Sequence, residues 1–192
     1  MINILIILAL LLSATHQIDL DKALSKFREA NQIRAIQLQI TKKGQILYHV
    51  NLGEKNERNE PIDNNTVVRI ASISKSFASV AFMQLVEEGK IGLNSTVSEG
   101  VGFEVRNPYY PNIPITLEMV MSHQSSIVDC DPTYLGFLYL TRTAPNGSRV
   151  PDIKELLHRD GIYYHDCLFN NYPPGTHFEY SNFAYGIIGT VV

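Results

Sequence analysis

The sequence predicts an α+β fold, with helices packed on an antiparallel sheet, and three observations carry that expectation. Apolar residues alternate with polar ones over Ile36, Leu38 and Ile40, turn at Lys42-Lys43-Gly44 and return from Ile46 to Leu52, the pattern of a β-hairpin with one polar face. Before the hairpin, Leu20, Ala23, Leu24 and Phe27 recur at helical spacing, and long apolar helices are expected after it. The composition, 45% hydrophobic and 18% charged with a net charge of −3, suits a chain that buries a core. That charge balance gives no electrostatic case for nucleic-acid binding, so function must come from a local site.

Ile4 to Leu12 form an unbroken apolar run, followed by small Ser13, Ala14 and Thr15 and then polar His16 and Gln17. This is the pattern of a secretory signal, residues 1–15, which leaves 16–192 as the mature portion. No basic residue precedes the run, so a signal anchor is the alternative. The run is shorter than the roughly 20 residues that span a bilayer, and no later segment reaches that length, so no membrane span is expected after signal removal. A secreted protein or one in the secretory lumen is the expectation.

Asp19 can cap a helix running to about Asn31. Glu54 to Asn65 is charged, contains Pro61 and lacks periodicity, which makes it a loop. From Ser72 to Glu88 apolar residues cover most of the circumference, predicting a helix buried on nearly all sides and ended by Gly89. Shorter helices are expected over Thr116 to Ser122 and Pro151 to Arg159, the latter with proline in its first turn and Gly161 just past its end. Asn170 to Gly175 reads as a turn, and an apolar helix runs from near Ser181 to the last residue.

Cys130 and Cys167 leave two readings open: one bridge closing a loop, or two small buried hydrophobes that never meet. A metal held by them with His158 or His165 is disfavoured, because no Cys-x-x-Cys or His-x-x-x-His spacing is present, and no metal or cofactor is expected. Sequons at Asn64, Asn94 and Asn146 are glycosylation candidates if the host modifies them.

Ser72 and Lys75 stand three residues apart at the start of the long helix, hence on one face and one turn apart. Backbone N–H groups at a helix start stabilise charge developing on the hydroxyl, and a lysine withdrawn from water can accept its proton. Spacing alone is weak, since about half a Ser-x-x-Lys arises here by chance. Tyr180 and Asn182 supply a second element, placing a phenol and an amide at the junction between the Pro-Gly turn and the last helix. The phenol can relay a proton, and the amide can bond both the lysine and a substrate carbonyl. Tyr110-Pro111-Asn112 repeats the pattern but lies in a proline-bounded loop. His123 is expected as a structural hydrogen-bond donor rather than a base.

These residues resemble a known family. Arg69-Ile70-Ala71-Ser72-Ile73-Ser74-Lys75-Ser76-Phe77, then Glu88-Gly89-Lys90-Ile91-Gly92-Leu93, then Ile115-Thr116-Leu117 with Met121-Ser122-His123-Gln124-Ser125-Ser126-Ile127, then Pro174-Gly175-Thr176-His177-Phe178-Glu179-Tyr180-Ser181-Asn182, are similar to the serine β-lactamases and penicillin-binding proteins of class C type. The resemblance covers about residues 20 to 192 and implies a β-lactamase/DD-peptidase-like fold with a helical lobe beside the sheet. It also implies Ser72 as the acylated nucleophile, Lys75 and Tyr180 as the acid/base pair and Asn182 as a substrate-orienting group, acting on a small-molecule or peptide substrate without a cofactor.

Three departures bear on that reading. Ser126 stands where the family commonly has glycine, and Ser72 to Tyr180 is longer than in compact members, with the excess between Cys130 and Cys167. The third is the Lys-Thr-Gly or His-Thr-Gly motif implied on an inner strand after Tyr180, which does not occur before Val192; Lys42-Lys43-Gly44 is a hairpin turn at the wrong end. The expectation is therefore the N-terminal portion of such a domain, its C-terminal strands missing and its activity impaired. An oxyanion hole short of one donor loses about 3–4 kcal/mol of transition-state stabilisation. The competing reading is a secreted, non-catalytic protein of this type that binds peptides or partners, or an inactive fragment. No Gly-x-Ser-x-Gly elbow, phosphate-binding glycine loop or His-Glu-x-x-His is present to support another chemistry.

Overall fold

A hairpin and six α-helices make up the regular structure that the computed structural model describes, over residues 19–130 and 151–192. The expected signal segment and the Asn146 sequon lie outside those residues. The chain divides into two compact units, residues 1–69 and 70–192.

In the first unit, helix α1 (Leu20–Ala30) starts where the sequence predicts: the Asp19 carboxylate accepts the backbone N–H of Lys22 at 3.1 Å. Strands β1 (Ala35–Lys42) and β2 (Gln45–Gly53) pair antiparallel, Lys42 opposite Gln45. Lys43 and Gly44 both have positive φ, 51° and 78°, as a two-residue turn matching strand twist requires. The register passes from Ile40 opposite Tyr48 to Thr41 opposite Ile46, so Leu47 forms a bulge. The Tyr48 hydroxyl donates to the Asp21 carboxylate at 2.5 Å and ties β2 to α1.

In the second unit, the predicted long helix begins as a 3-10 turn over Ala71–Ile73 and continues as α2 (Ser74–Glu87), with Gly89 at φ 69° just beyond. Its expected burial on nearly all sides is incorrect. Phe82 is fully buried, but Phe77 and Val80 are 69% and 62% exposed, because α2 packs mainly against the 3-10 turn and the last helix, which cover one side. An apolar circumference expresses composition; burial needs a partner on each side.

Helix α3 (Val97–Val101) was not expected, although its signals are in the sequence. Thr96 and Glu99 form a reciprocal capping box, and Gly102 ends the helix at φ 79°. Thr116 caps α4 (Leu117–Met121) by accepting the Met119 N–H. Helix α5 (Ile153–Leu157) is shorter than the predicted Pro151–Arg159: Asp152 with Glu155 forms the cap, so Pro151 lies before the helix rather than in its first turn. Gly161 is required by close approach, since a Cβ there would stand 2.4 Å from the Glu155 carbonyl oxygen. A second 3-10 turn spans Asp166–Leu168, and α6 (Asn182–Val191) begins near Ser181 as predicted, with Ser181 as its cap.

The core of this unit gathers Phe82 of α2, Leu117 and Val120 of α4, Leu156 and Leu157 of α5, and Phe183, Ala184, Ile187 and Ile188 of α6. Residues 126–128 run beside 168–170, with Val128 N–H donating to the Leu168 carbonyl and Asn170 N–H to that of Ser126, both at 2.9 Å. Of the two readings left open for the cysteines, the structure has the bridge: Cys130 and Cys167 form a disulfide beside this pairing, Cα atoms 5.2 Å apart. Among the described residues no helix is long and apolar enough to cross a membrane.

Candidate active site

Ser72 sits in the 3-10 turn that leads into α2. Ala71 before it has φ 45°, a left-handed conformation that a residue with a Cβ holds at a cost of about 1–3 kcal/mol. The turn leaves Ser72 exposed and places Lys75 one helical turn on, so that Lys75 Nζ donates to Ser72 Oγ at 3.2 Å. From the far end of the unit, Tyr180 Oη meets the same Ser72 oxygen at 2.7 Å, and Asn182 Oδ1 accepts from Lys75 Nζ at 2.7 Å. The four residues singled out from the sequence are thus one connected cluster.

Residues 180–182 show why the tyrosine and asparagine are spaced by two. Ser181 is extended (φ −132°, ψ 124°), so its neighbours project to one side while it turns inward and is fully buried. Inside, Ser181 Oγ accepts the Ala184 N–H at 3.0 Å and caps α6. The preceding Pro-Gly turn is fixed by the Gly175 N–H, which donates to the Gln124 carbonyl at 2.8 Å, with Gly175 at φ 84°. The α2–α6 contact is stitched by Tyr185, whose hydroxyl bonds Ser79 Oγ and donates to the Lys75 carbonyl at 3.4 Å. Lys75 Nζ stands 4.8 Å from the Tyr180 ring centre and 5.7 Å from that of Tyr185. The Tyr180 phenol is held below the usual tyrosine range, first by Lys75 beside it and then by the Ser72 hydroxyl.

His123 is structural but acts as an acceptor, correcting the expected donor role: its Nδ1 accepts the Ser181 backbone N–H at 3.2 Å. Its ring lies 4.4 Å from the Tyr180 ring centre, and burial, followed by the Lys75 charge, pushes the imidazole below its ordinary pKa. His123 and Ser126 both have positive φ, 58° and 62°. Ser126, in the place the resemblance gives to glycine, is compensated by the buried Asn107, whose Nδ2 donates to Ser126 Oγ at 2.8 Å.

Sequence reasoning missed Asp129. Its Oδ1 accepts from Phe183 N at 2.7 Å and Ser181 Oγ at 3.0 Å, and its Oδ2 from Asn182 Nδ2 at 2.9 Å and Asn182 N at 3.1 Å. Burial acts to raise this carboxyl's pKa, but the hydrogen bonds from Phe183, Asn182 and Ser181 prevail and hold it below the usual range. These partners lie 52–54 residues away in sequence, where no local pattern signals them.

The alternative Tyr110-Pro111-Asn112 lies in a turn closed by the Ile113 N–H, which donates to the Tyr110 carbonyl at 3.1 Å, outside the cluster. Asn64 and Asn94 are exposed, and Asn64 Oδ1 accepts from Asn51 Nδ2 at 2.5 Å. Cys130, His165 and Cys167 are close enough to share a metal ion, but with both sulfurs in the disulfide the group offers no thiolate.

A family model described as Beta-lactamase matches residues 20–192. A penicillin-binding protein of Bacillus subtilis is 25% identical over 151 residues, 78% of this chain and 30% of that protein. Among solved structures, an octameric penicillin-binding protein homologue from Pyrococcus abyssi superposes with a TM-score of 0.66 at 25% identity, over 91% of this chain and 38% of that one. A class C β-lactamase in complex with cefoxitin superposes at 0.63 and 21% identity, over 89% and 42%, and shows the same fold. The chain spans between 30% and 34% of the length of the curated relatives it matches.

Proposed function

The chain belongs to the β-lactamase family, and from that premise we propose that it is a serine hydrolase that forms an acyl-enzyme at Ser72. The observation that carries this reading is the convergence on one hydroxyl: Ser72 Oγ is within hydrogen-bond reach of Lys75 Nζ, one turn along the same helix, and of Tyr180 Oη, 108 residues from Ser72 in the chain. Ser72 Oγ attacks the carbonyl carbon of the substrate as its proton passes into the Lys75–Tyr180 pair. Tyr180, the nearer partner, is the first acceptor in its ionised phenolate form, which the adjacent Lys75 favours by lowering the phenol's pKa. Collapse of the tetrahedral intermediate breaks the bond to the leaving group, which takes the proton back from the pair and leaves an ester on Ser72. Water then attacks the ester with the pair acting as base, releasing the acid and restoring the hydroxyl. Asn182 holds Lys75 through Oδ1 and orients the substrate.

The substrates proposed are β-lactams, amides or esters. The penicillin-binding relatives make a penicillin the first choice of probe. The disulfide supports a site of action in an oxidising, secretory or extracellular compartment. Incubation with a fluorescent penicillin and with a fluorophosphonate, followed by mass mapping, is expected to give a single adduct on Ser72 that Ser72→Ala lacks. A folded chain that neither reagent labels, or labelling that survives in Ser72→Ala, overturns the reading.

A further inference from the structure

We propose that Asp129 is a positioning residue that fixes which way the Asn182 side-chain amide faces, and through it where Lys75 is held. The inference rests on the reading of Ser72 and Lys75 as the reacting pair, and its geometry is independent of the substrate. An ionised carboxylate only accepts hydrogen bonds, whereas the two ends of an asparagine amide differ, one donating and one accepting. Asp129 Oδ2 takes the Asn182 Nδ2 donor at 2.9 Å, which forces Asn182 Oδ1 to the opposite side, where it accepts from Lys75 Nζ at 2.7 Å. A flipped amide would set its oxygen against the carboxylate and its N–H groups against the lysine, losing both bonds. Asp129 is therefore the group that selects the productive orientation.

The aspartate is itself held. Its Oδ1 is fixed by Phe183 N and Ser181 Oγ, Val128 before it donates to the Leu168 carbonyl, and Cys130 after it is bonded to Cys167. Only one of the two Asn182 amide hydrogens is used by Asp129, which leaves the other for a substrate carbonyl. The same carboxylate also caps α6, so a purely structural role predicts lost stability and nothing more; the test has to separate the two roles.

Two measurements do so. In the 192-residue chain, the proton–nitrogen spectrum of the Asn182 side chain is expected to show one amide proton shifted downfield and slow to exchange. Asp129→Ala should abolish that signature, and the near-isosteric Asp129→Asn, which has half the acceptor capacity, should weaken it. An Asn182 amide unchanged in a folded Asp129 variant overturns the proposal, whatever the chain does to a probe. Fluorophosphonate acylation of Ser72 is then compared in wild type, Asp129→Asn, Asn182→Ala and the double variant. Asp129→Asn should slow acylation by about 100-fold, the scale of a small misplacement of a reacting group. If Asp129 acts through Asn182, the double variant is no slower than Asn182→Ala alone, while losses that multiply show that Asp129 acts otherwise and overturn the proposal. A wild-type chain that is never labelled defeats the hydrolase reading and leaves the amide spectrum to decide the role of Asp129.

Discussion

The two halves of the candidate site are built in opposite ways. Ser72 and Lys75 lie three residues apart on one turn, exposed or half-buried, and the turn's geometry is forced by Ala71 in a left-handed conformation. Tyr180 and Asn182 flank a fully buried serine and are cross-braced from distant chain by His123 and Asp129. The first half concentrates reactivity in a short strained segment; the second supplies a fixed frame against which that segment is aligned. Separating them in this way lets the nucleophile stay accessible while the groups that move its proton keep their positions.

The largest expected effect breaks the first half. Lys75→Ala removes the donor to both Ser72 Oγ and Asn182 Oδ1 without touching the braces around α6, so acylation of Ser72 should fall by up to about 10⁴-fold while the chain stays folded. Acylation kinetics with a fluorescent penicillin check this, alongside circular dichroism. Acylation at the wild-type rate would remove Lys75 from the proton-transfer pair and leave Tyr180 alone in it.

Next in size is a break in the frame. Cys130→Ser with Cys167→Ser removes a bridge between residues 37 apart, which contributes about 4 kcal/mol in the loop-entropy account. Urea denaturation should show that order of loss. Because Asp129 adjoins Cys130, the Tyr180–Asn182 half should loosen with it, seen as faster hydrogen exchange at the start of α6 than at the start of α2. Equal loosening at both helix starts would deny that the two halves are separately built.

The same division governs what the sequence reveals. Ser72 and Lys75 are legible because helical periodicity places i and i+3 on one face, and Tyr180 and Asn182 because a Pro-Gly turn precedes two residues spaced for one side of an extended segment. Capping residues Asp19 and Thr116 mark the starts of α1 and α4 closely, and the apolar run after the Pro-Gly turn marks α6, whereas α3 is too short for apolar periodicity to reveal although Thr96, Glu99 and Gly102 bound it. Asp129 was illegible because its partners are 52–54 residues away, and one aspartate in a loop looks like any other. The exposure of Phe77 and Val80 was illegible for a related reason: apolar periodicity shows what a helix can bury, and only neighbours decide what it does bury.

A smaller effect tests His123 as part of the frame. Its pKa in the folded chain lies below the unfolded value of about 6.5, because burial and the Lys75 charge disfavour the imidazolium. Between the folded and unfolded values the unfolded chain binds more protons, so stability rises with pH there. The contribution is complete above about 6.5 and is lost as pH falls through the folded value. Protonation also cancels the Nδ1 acceptor for Ser181 N. Urea midpoints measured from pH 7.5 to 5 should decline more steeply for wild type than for His123→Gln; parallel curves would mean that the imidazole titrates as it does in the unfolded chain.

The smallest expected effect sharpens the contrast from the side of the nucleophile. Glycine at residue 71 adopts φ 45° without the clash that a Cβ meets there, so Ala71→Gly should relieve local strain. The unfolded chain gains freedom from the same change, which offsets part of the gain, leaving a net stabilisation of about 0.5–1 kcal/mol. In the frame half a substitution that frees the backbone should only destabilise, since Ser181 is extended and its hydroxyl both caps α6 and donates to Asp129. Denaturation midpoints of Ala71→Gly and Ser181→Gly should therefore move in opposite directions. A shift of both toward lower stability would show that Ala71 is at ease in its turn and that the nucleophile half stores no strain.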